Sequence, residues 1–277
     1  MERVVDWATR APAGPLRGLV DGYVGYRVTG FRAGIHRGLP SRHMTFIVSI
    51  GAPIVVCAQT NPAQHPDSYR CVLSGLQAST ALIAHEGSQE GVEIELSPLG
   101  CRTLFGMPAA ELWDGSFESA DVLGPVGDEL WERLQCPLGW SGRFEMCDRI
   151  LLGLMRERAV ARELAAAWRG IVEGGGSLPV DRLAARTGYS RQHLTRLFHK
   201  EFGLGPKLAS RVVRFERAQQ ALRSPRWRGS VAGVAASYGY SDQAHLTREF
   251  VDLAGCTPRE LIGEDLPIVQ DDGTTEA

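Results

Sequence analysis

Residues 188–198 read GYSRQHLTRLF, and residues 239–250 read GYSDQAHLTREF. Aligned on their leucines, Leu194 meets Leu246, Thr195 meets Thr247, Arg196 meets Arg248 and Phe198 meets Phe250. Four positions before each leucine stand Ser190 and Asp242, side chains that accept hydrogen bonds from the free N–H groups of a first helical turn. The second copy's additional residue therefore lies in the turn and leaves the helix in register. Gly188 and Gly239 open the turns, and the upstream VDRLAARTG and VAGVAASYG read as short helices. In these, Val180 and Leu183, like Val231 and Val234, face inward at i, i+3. Helix, glycine-containing turn, helix, written twice, predicts two helix-turn-helix units with second helices over 191–202 and 243–254.

In the first of these helices Leu194, Leu197 and Phe198 form the apolar edge. Gln192, Thr195, Arg196 and His199 form the opposite one at i, i+3, i+4 and i+7. The matching edge of the second is Ala244, Thr247, Arg248 and Val251. Arg191 and Gln243 occupy the first helical positions. Arginine suits guanine, glutamine suits adenine, and threonine or alanine suits a thymine methyl, so Arg191, Gln192, Thr195, Arg196, His199, Gln243, Ala244, Thr247 and Arg248 are the expected base-reading residues. Ser190, Lys207 and Arg211 are expected on phosphates, where they would set position rather than sequence preference.

The segment between the copies, GPKLASRVVRFERAQQALR, carries an apolar seam of Leu208, Val212, Phe215 and Leu222. As one helix over 206–223 it would be about 27 Å long at ~1.5 Å per residue. That length suits holding two recognition helices near the roughly 34 Å that separates successive major-groove faces. Charge points the same way. Residues 1–176 sum to −4, residues 177–262 to +7 and residues 263–277 to −5, giving the net −2 of the chain. A basic block of this kind calls for a polyanion, here double-stranded DNA.

LAARTGYSRQHLTRLFHKEFGLGPK and AASYGYSDQAHLTREFVDLAGCTPREL, with G-x-x-P stops at Gly203–Pro206 and Gly255–Pro258, resemble the DNA-binding domain of AraC/XylS-type transcription regulators. The resemblance covers residues 177–262. It implies DNA contacts from the second helix of each unit. RNA polymerase is an implied partner if the protein activates. Gly233 departs from the pattern, since a glycine inside a helix costs about 1 kcal/mol against alanine.

The first half reads differently. YVGYRVT, MTFIVSI, PIVVCA, CVLSGL, STALIAH and GVEIELS are short β-branched runs between turn residues, which suggests a barrel or sandwich. MPAAELW at 107–113 reads as a short helix. From about 126 the period becomes helical, with Leu130 and Leu134 on one stripe and Cys147, Ile150, Leu151 and Leu154 on another. The latter stripe is a candidate dimer surface, consistent with a homodimer, or else packs on the protein's own β domain. ARELAAAWRGIVE is strongly helix-forming, and GGG at 174–176 reads as a flexible joint. SPLGCRTLFGMPAAELWDGSFESADVLG is similar to the end of the β-rich sensor domain of some of these regulators. That likeness implies a cupin-like domain that binds a small molecule or mediates dimerisation. His36, Arg37 and His43 in the loop-like IHRGLPSRHM are the candidate effector residues. The metal-binding HxH cluster of cupin enzymes is missing, because His36, His43, His65 and His85 are scattered.

The expectation is thus an α+β multidomain chain. Residues 1–125 form a β-rich barrel or cupin-like domain and 126–176 a helical linker. Residues 177–262 form an all-α domain with two helix-turn-helix units, and 263–277 an acidic flexible tail. No apolar run reaches the roughly eighteen residues of a membrane helix, and the N-terminus lacks a signal peptide's apolar core, so the expected location is the cytoplasm. The six cysteines show no metal or redox spacing and read as buried thiols. No catalytic residue, metal or cofactor is expected. The alternatives are an N-terminal half that is only an interaction module, and a DNA-repair enzyme using the same DNA-binding domain.

Overall fold

The computed structural model describes residues 3–224, 227 and 229–264. The expected acidic tail, apart from Gly263 and Glu264, lies outside them. The first half contains β1 (Val4–Arg10), β2 (Val20–Thr29), β3 (Gly34–Gly38), β4 (Thr45–Ser49), β5 (Ile54–Ala58), β6 (Asp67–Tyr69), β7 (Cys71–Ser74), β8 (Ala81–His85) and β9 (Gln89–Leu96). Next come α1 (Cys101–Phe105), a 3-10 turn at Ala109–Leu112, β10 (Ser116–Glu118), α2 (Ser119–Leu123), α3 (Pro125–Gln135) and α4 (Trp140–Leu154). The remaining helices are α5 (Arg162–Glu173), α6 (Val180–Thr187), α7 (Arg191–Phe202), α8 (Pro206–Arg223), α9 (Val231–Ser237), α10 (Gln243–Ala254) and α11 (Pro258–Ile262). Among the described residues, no helix is long and apolar enough to cross a membrane.

The strands form two antiparallel sheets, ordered β1-β2-β9-β4-β7-β10 and β3-β8-β5-β6. Both are open, so the expected barrel is two facing sheets rather than a closed cylinder. Alternation decides what each face meets. In β9, Val92, Ile94 and Leu96 point to the helical side and join Phe46, Val48, Leu73, Leu104, Phe105, Leu130, Phe144 and Leu151 in the main core. Gln89 and Glu93 point between the sheets. The inter-sheet space holds only a small cluster of Ile54, Val56, Tyr69, Val72 and Ala81.

Several sequence expectations change here. Residues 35–38, read as part of the loop 35–44, belong to β3, which pairs with β8 from Gly34↔His85 to Gly38↔Ala81. Within 107–113 the backbone makes only the 3-10 turn, with Pro108 at its N-cap. Cys147, Ile150 and Leu151 are buried in the main core and Leu154 packs against it. That stripe faces the molecule's own sheet and is not available as a dimer surface. The 174–176 glycines are a packed turn rather than a joint: Gly176 donates to the Ile171 carbonyl, and a Cβ there would collide with the Ser210 carbonyl oxygen.

The helices after residue 160 do not stand apart. α5 packs on α6 and α8, and the Trp168 ring lies 5.0 Å from that of Phe202. The main core runs without a break from the β domain through Leu164, Trp168 and Ile171 to Leu183, Leu194, Phe198 and Phe202 of the first helix-turn-helix unit. The second unit has its own cluster, built on Val212, Phe215, Leu222, Val234, Leu246 and Phe250, which admits Leu39 from the β3–β4 connection.

Candidate DNA interface and sensing cavity

Both second helices start at caps of the expected kind. Ser190 accepts from the His193 N–H at 3.2 Å, and Asp242 accepts from the His245 N–H at 2.7 Å. Backbone N–H bonds hold the Asp242 carboxyl below the usual carboxylate range. Each helix ends on a left-handed glycine, Gly203 or Gly255, and proline at the next helix start prevents continuation. The G-x-x-P spacing is therefore the punctuation between consecutive helices.

Leu194, Phe198, Leu246 and Phe250 are fully buried, while Arg191, Gln192, Arg196, His199, Gln243, Ala244 and Arg248 are exposed, with Thr195 and Thr247 half-buried. Arg191, Lys207, Arg211, Thr247 and Arg248 line one groove of about 940 Å³ between α6, α8 and α10. An adjoining groove of about 510 Å³ brings Thr195 and His199 beside Arg191, Lys207 and Arg211. Gln192, Arg196, Gln243 and Ala244 stand on the same two helices outside these linings. Thr195 donates its hydroxyl to the Arg191 carbonyl at 2.9 Å, and its methyl lies beside Gly205.

Arg211 is not the free cation expected for a phosphate contact. Its guanidinium donates to Glu249 at 2.9 Å and to Asp252 at 3.0 Å, and Arg214 reaches the same Glu249 at 3.1 Å. Lys207 is exposed. The matched histidines escaped the sequence reading: His193 stands edge-on to Tyr189 at 4.9 Å, and His245 to Tyr240 at 5.3 Å. The signal for them was present, since both copies place Tyr and His at corresponding points of the repeated phrase.

The β domain grips both units from behind. Arg102 donates to Glu201 of α7 at 2.6 Å, and Trp113 packs against Gly203. Arg42 donates to Glu216 of α8 at 3.2 Å, and Arg37 donates to the Ala254 carbonyl at 3.1 Å and to Glu264. Directly behind this second grip lies a cavity of about 70 Å³ between the sheets, lined by His36, Arg37, Tyr26, Thr45, Gln89 and Glu93 among others. Of the three candidate effector residues, His36 and Arg37 reach it. His43 does not: its ring bonds Asp21 at 2.8 Å, and that bond, with nearby carboxylates, outweighs burial and raises its pKa. Burial, aided by His85 and Arg223, lowers His36 to about 4. Burial, aided by Glu95 and Glu216, lifts Glu93 to about 8. Among the described residues no cluster of histidine, cysteine, aspartate and glutamate could hold a metal ion.

A family model described as a helix-turn-helix domain matches residues 183–263. Over 87 residues the chain is 32% identical to the Msm operon regulatory protein of Streptococcus mutans, covering 31% of each. It is 34% identical over 85 residues to the multiple antibiotic resistance protein MarA of Escherichia coli, covering 30% of this chain and 64% of that one. The probable transcription factor PqrA of Proteus vulgaris is 35% identical over 85 residues, which cover 30% of this chain and 67% of PqrA. The chain thus spans less than two thirds of the first two. Among solved structures, ToxT from Vibrio cholerae superposes with a TM-score of 0.52 at 10% identity, over 92% of this chain and 97% of ToxT. ToxT bound to (E)-4-(8-methylnaphthalen-1-yl)but-3-enoic acid gives 0.51 at 10%, over 92% and 98%. At such identity the likeness is one of fold, and it spans both halves of the molecule.

Proposed function

Because the chain belongs to the AraC/XylS family of helix-turn-helix transcription regulators, we propose that it reads two adjacent major-groove segments of one DNA site with α7 and α10. In this reading a small molecule held in the β domain modulates it, and it acts in the cytoplasm by binding rather than by catalysis. The observation that carries this reading is the pair of like-capped helices with exposed polar edges, flanking one groove that also contains Lys207. Phosphate contact at Lys207 would position the protein, and the arginines and glutamines of the two edges would supply base preference. The two edges differ, Gln192 and His199 against Ala244 and Val251, so the two half-sites should differ in sequence.

Sensing is supported by position. The cavity between the sheets adjoins the β3–β4 connection, whose Arg37, Leu39 and Arg42 hold the second unit. The bound acid of ToxT gives a precedent for a small ligand on this fold. Selection from a pool of randomised duplexes tests the DNA reading. Two unlike enriched segments about one helical turn apart are expected. Recovery of a single segment, or of none, would overturn it.

A further inference from the structure

We propose that the inter-sheet cavity binds a small primary amine with a short apolar body, its ammonium group seated on Glu93. This rests on the sensing reading above and gives its ligand a chemistry. Among the described residues four glutamates are buried. Three have arginine partners: Glu201 with Arg102, Glu216 with Arg42, and Glu249 with Arg211 and Arg214. Glu93 is 5% exposed and lines the cavity, and its carboxyl makes no hydrogen bond or ion pair with any described residue. A buried acid without a partner is costly, and a cation brought from outside would relieve that cost.

The cations nearby are committed. Arg37 is held by Ala254 and Glu264, Arg42 by Glu216 with Asp21 alongside, and His43 by Asp21. The other charged groups around Glu93 favour a positive guest. Glu95 on its own strand and Glu216 on α8 both push its proton affinity up, against the single opposing influence of His43. Tyr26 from β2 and a neutral His36 from β3 line the cavity with Glu93, together with the uncharged polar Thr45, Gln77 and Gln89. The Nδ1 of His36 is buried and has no hydrogen-bond partner among the described residues, and in the tautomer protonated at Nε2 it is an acceptor. Ile47 and Val72 beside Glu93 on its own sheet, and Ile54, Val56 and Ile83 on the facing sheet, give the cavity apolar surface that suits a branched alkyl group. At roughly 10–15 Å³ per water-sized centre the volume admits about five heavy atoms.

Binding would be linked to protons. An alkylammonium ion remains charged below about pH 10.4, as lysine does. Glu93 is protonated below about 8, so at neutral pH it must release one proton as the ammonium ion enters. Affinity should therefore rise roughly tenfold from pH 7 to pH 9, with about one proton released to buffer per ligand at pH 7.

Calorimetry on the full chain, in two buffers of different ionisation heat, tests this with isobutylamine, 2-methylpropan-1-ol and isobutyrate. The amine alone should bind, with the stated pH dependence, and Glu93→Gln should abolish both while keeping wild-type affinity for the duplex recovered by selection. Equal binding of the alcohol or acid, retention of amine binding by Glu93→Gln, or no amine binding at either pH would overturn the proposal. If the amine binds through Glu93 but leaves DNA affinity unchanged, the site stands and the sensing reading falls. If other compounds shift DNA affinity while the amine does not bind, sensing stands and the amine site falls.

Discussion

Arg211 donates to Glu249 at 2.9 Å, tying the long connecting helix to the second reading helix within the groove that flanks both. Glu249 is 4% exposed, so the Arg211 guanidinium is held against a buried carboxylate on α10. Arg211→Ala should lower thermal stability by roughly 1–3 kcal/mol, the remaining Arg214 limiting the loss. Lys207→Ala should spare stability and reduce the slope of log affinity against log salt by about one. Salt titrations of both variants separate the two roles. Loss of salt slope in Arg211→Ala with unchanged melting would reverse the assignment.

Arg196→Ala and Arg248→Ala should each cost about 1–3 kcal/mol at the selected duplex and relax preference in one half-site only. Binding measured on a panel of single-base variants reports this. A uniform loss across the panel would make these arginines phosphate contacts instead.

The continuity of the core through α5 changes where the DNA-binding part can be cut. A fragment beginning at residue 159 keeps Val160 and the Trp168–Phe202 contact, and should unfold cooperatively and bind DNA. One beginning at residue 177 leaves Phe198 and Phe202 without that cover. Burying a large aromatic is worth about 1.5–3 kcal/mol, so the shorter fragment should melt lower and bind more weakly. Equal melting of the two would mean α5 contributes nothing to the first unit.

These differences mark what was legible in the sequence. Boundaries at Arg191–Phe202, Pro206–Arg223 and Gln243–Ala254 could be read because caps, proline starts and glycine stops are local chemistry. The strand at 34–38 was missed because Ile35 is exposed and His36 buried, leaving no apolar alternation to see. The stripe of Cys147 to Leu154 was correct as a helix face, but periodicity does not say what covers a face. Glu93 gave no signal at all. Glu93 and Glu95 alternate with apolar residues in GVEIELS and read as the polar side of a strand, and only the second sheet reveals Glu93 to be interior.

Glu93 contributes a loss of stability as pH rises between about 4.5 and 8, which the whole protein should show from about 6.5 to 8. Glu93 keeps its proton in the folded chain up to about 8, whereas the unfolded chain releases it near 4.5. The unfolded state thus binds fewer protons throughout that window. Glu93→Gln should remove this decline and raise stability by roughly 2–4 kcal/mol at pH 8, with little change at pH 4. His36 stays neutral down to about 4 while the unfolded side chain charges near 6.5, which contributes the opposite slope over that interval, so the two groups offset each other between about 4.5 and 6.5 and the His36 slope stands alone in Glu93→Gln. Denaturant melts of both proteins from pH 4 to pH 9 give both limbs, and a flat Glu93→Gln difference would contradict the Glu93 part.

Gly233 is exposed within α9, Ser230 caps its N–H at 3.1 Å, and a Cβ there meets nothing closer than the Ser230 Oγ at 3.5 Å. Gly233→Ala should therefore stabilise by about 0.5–1 kcal/mol without altering DNA affinity. A differential melt checks it, and destabilisation would mean this glycine is retained for a backbone reason.

The two helix-turn-helix units are unequal tenants of the molecule. One shares its interior with the β domain, and the other keeps an interior of its own, entered from that side by Leu39 alone among fully buried side chains. Chimeras that exchange everything after residue 176 would therefore cut through a single body. A seam for exchanging the second unit lies later in the chain, where a replacement has to match Leu39 and the partners of Arg37 and Arg42.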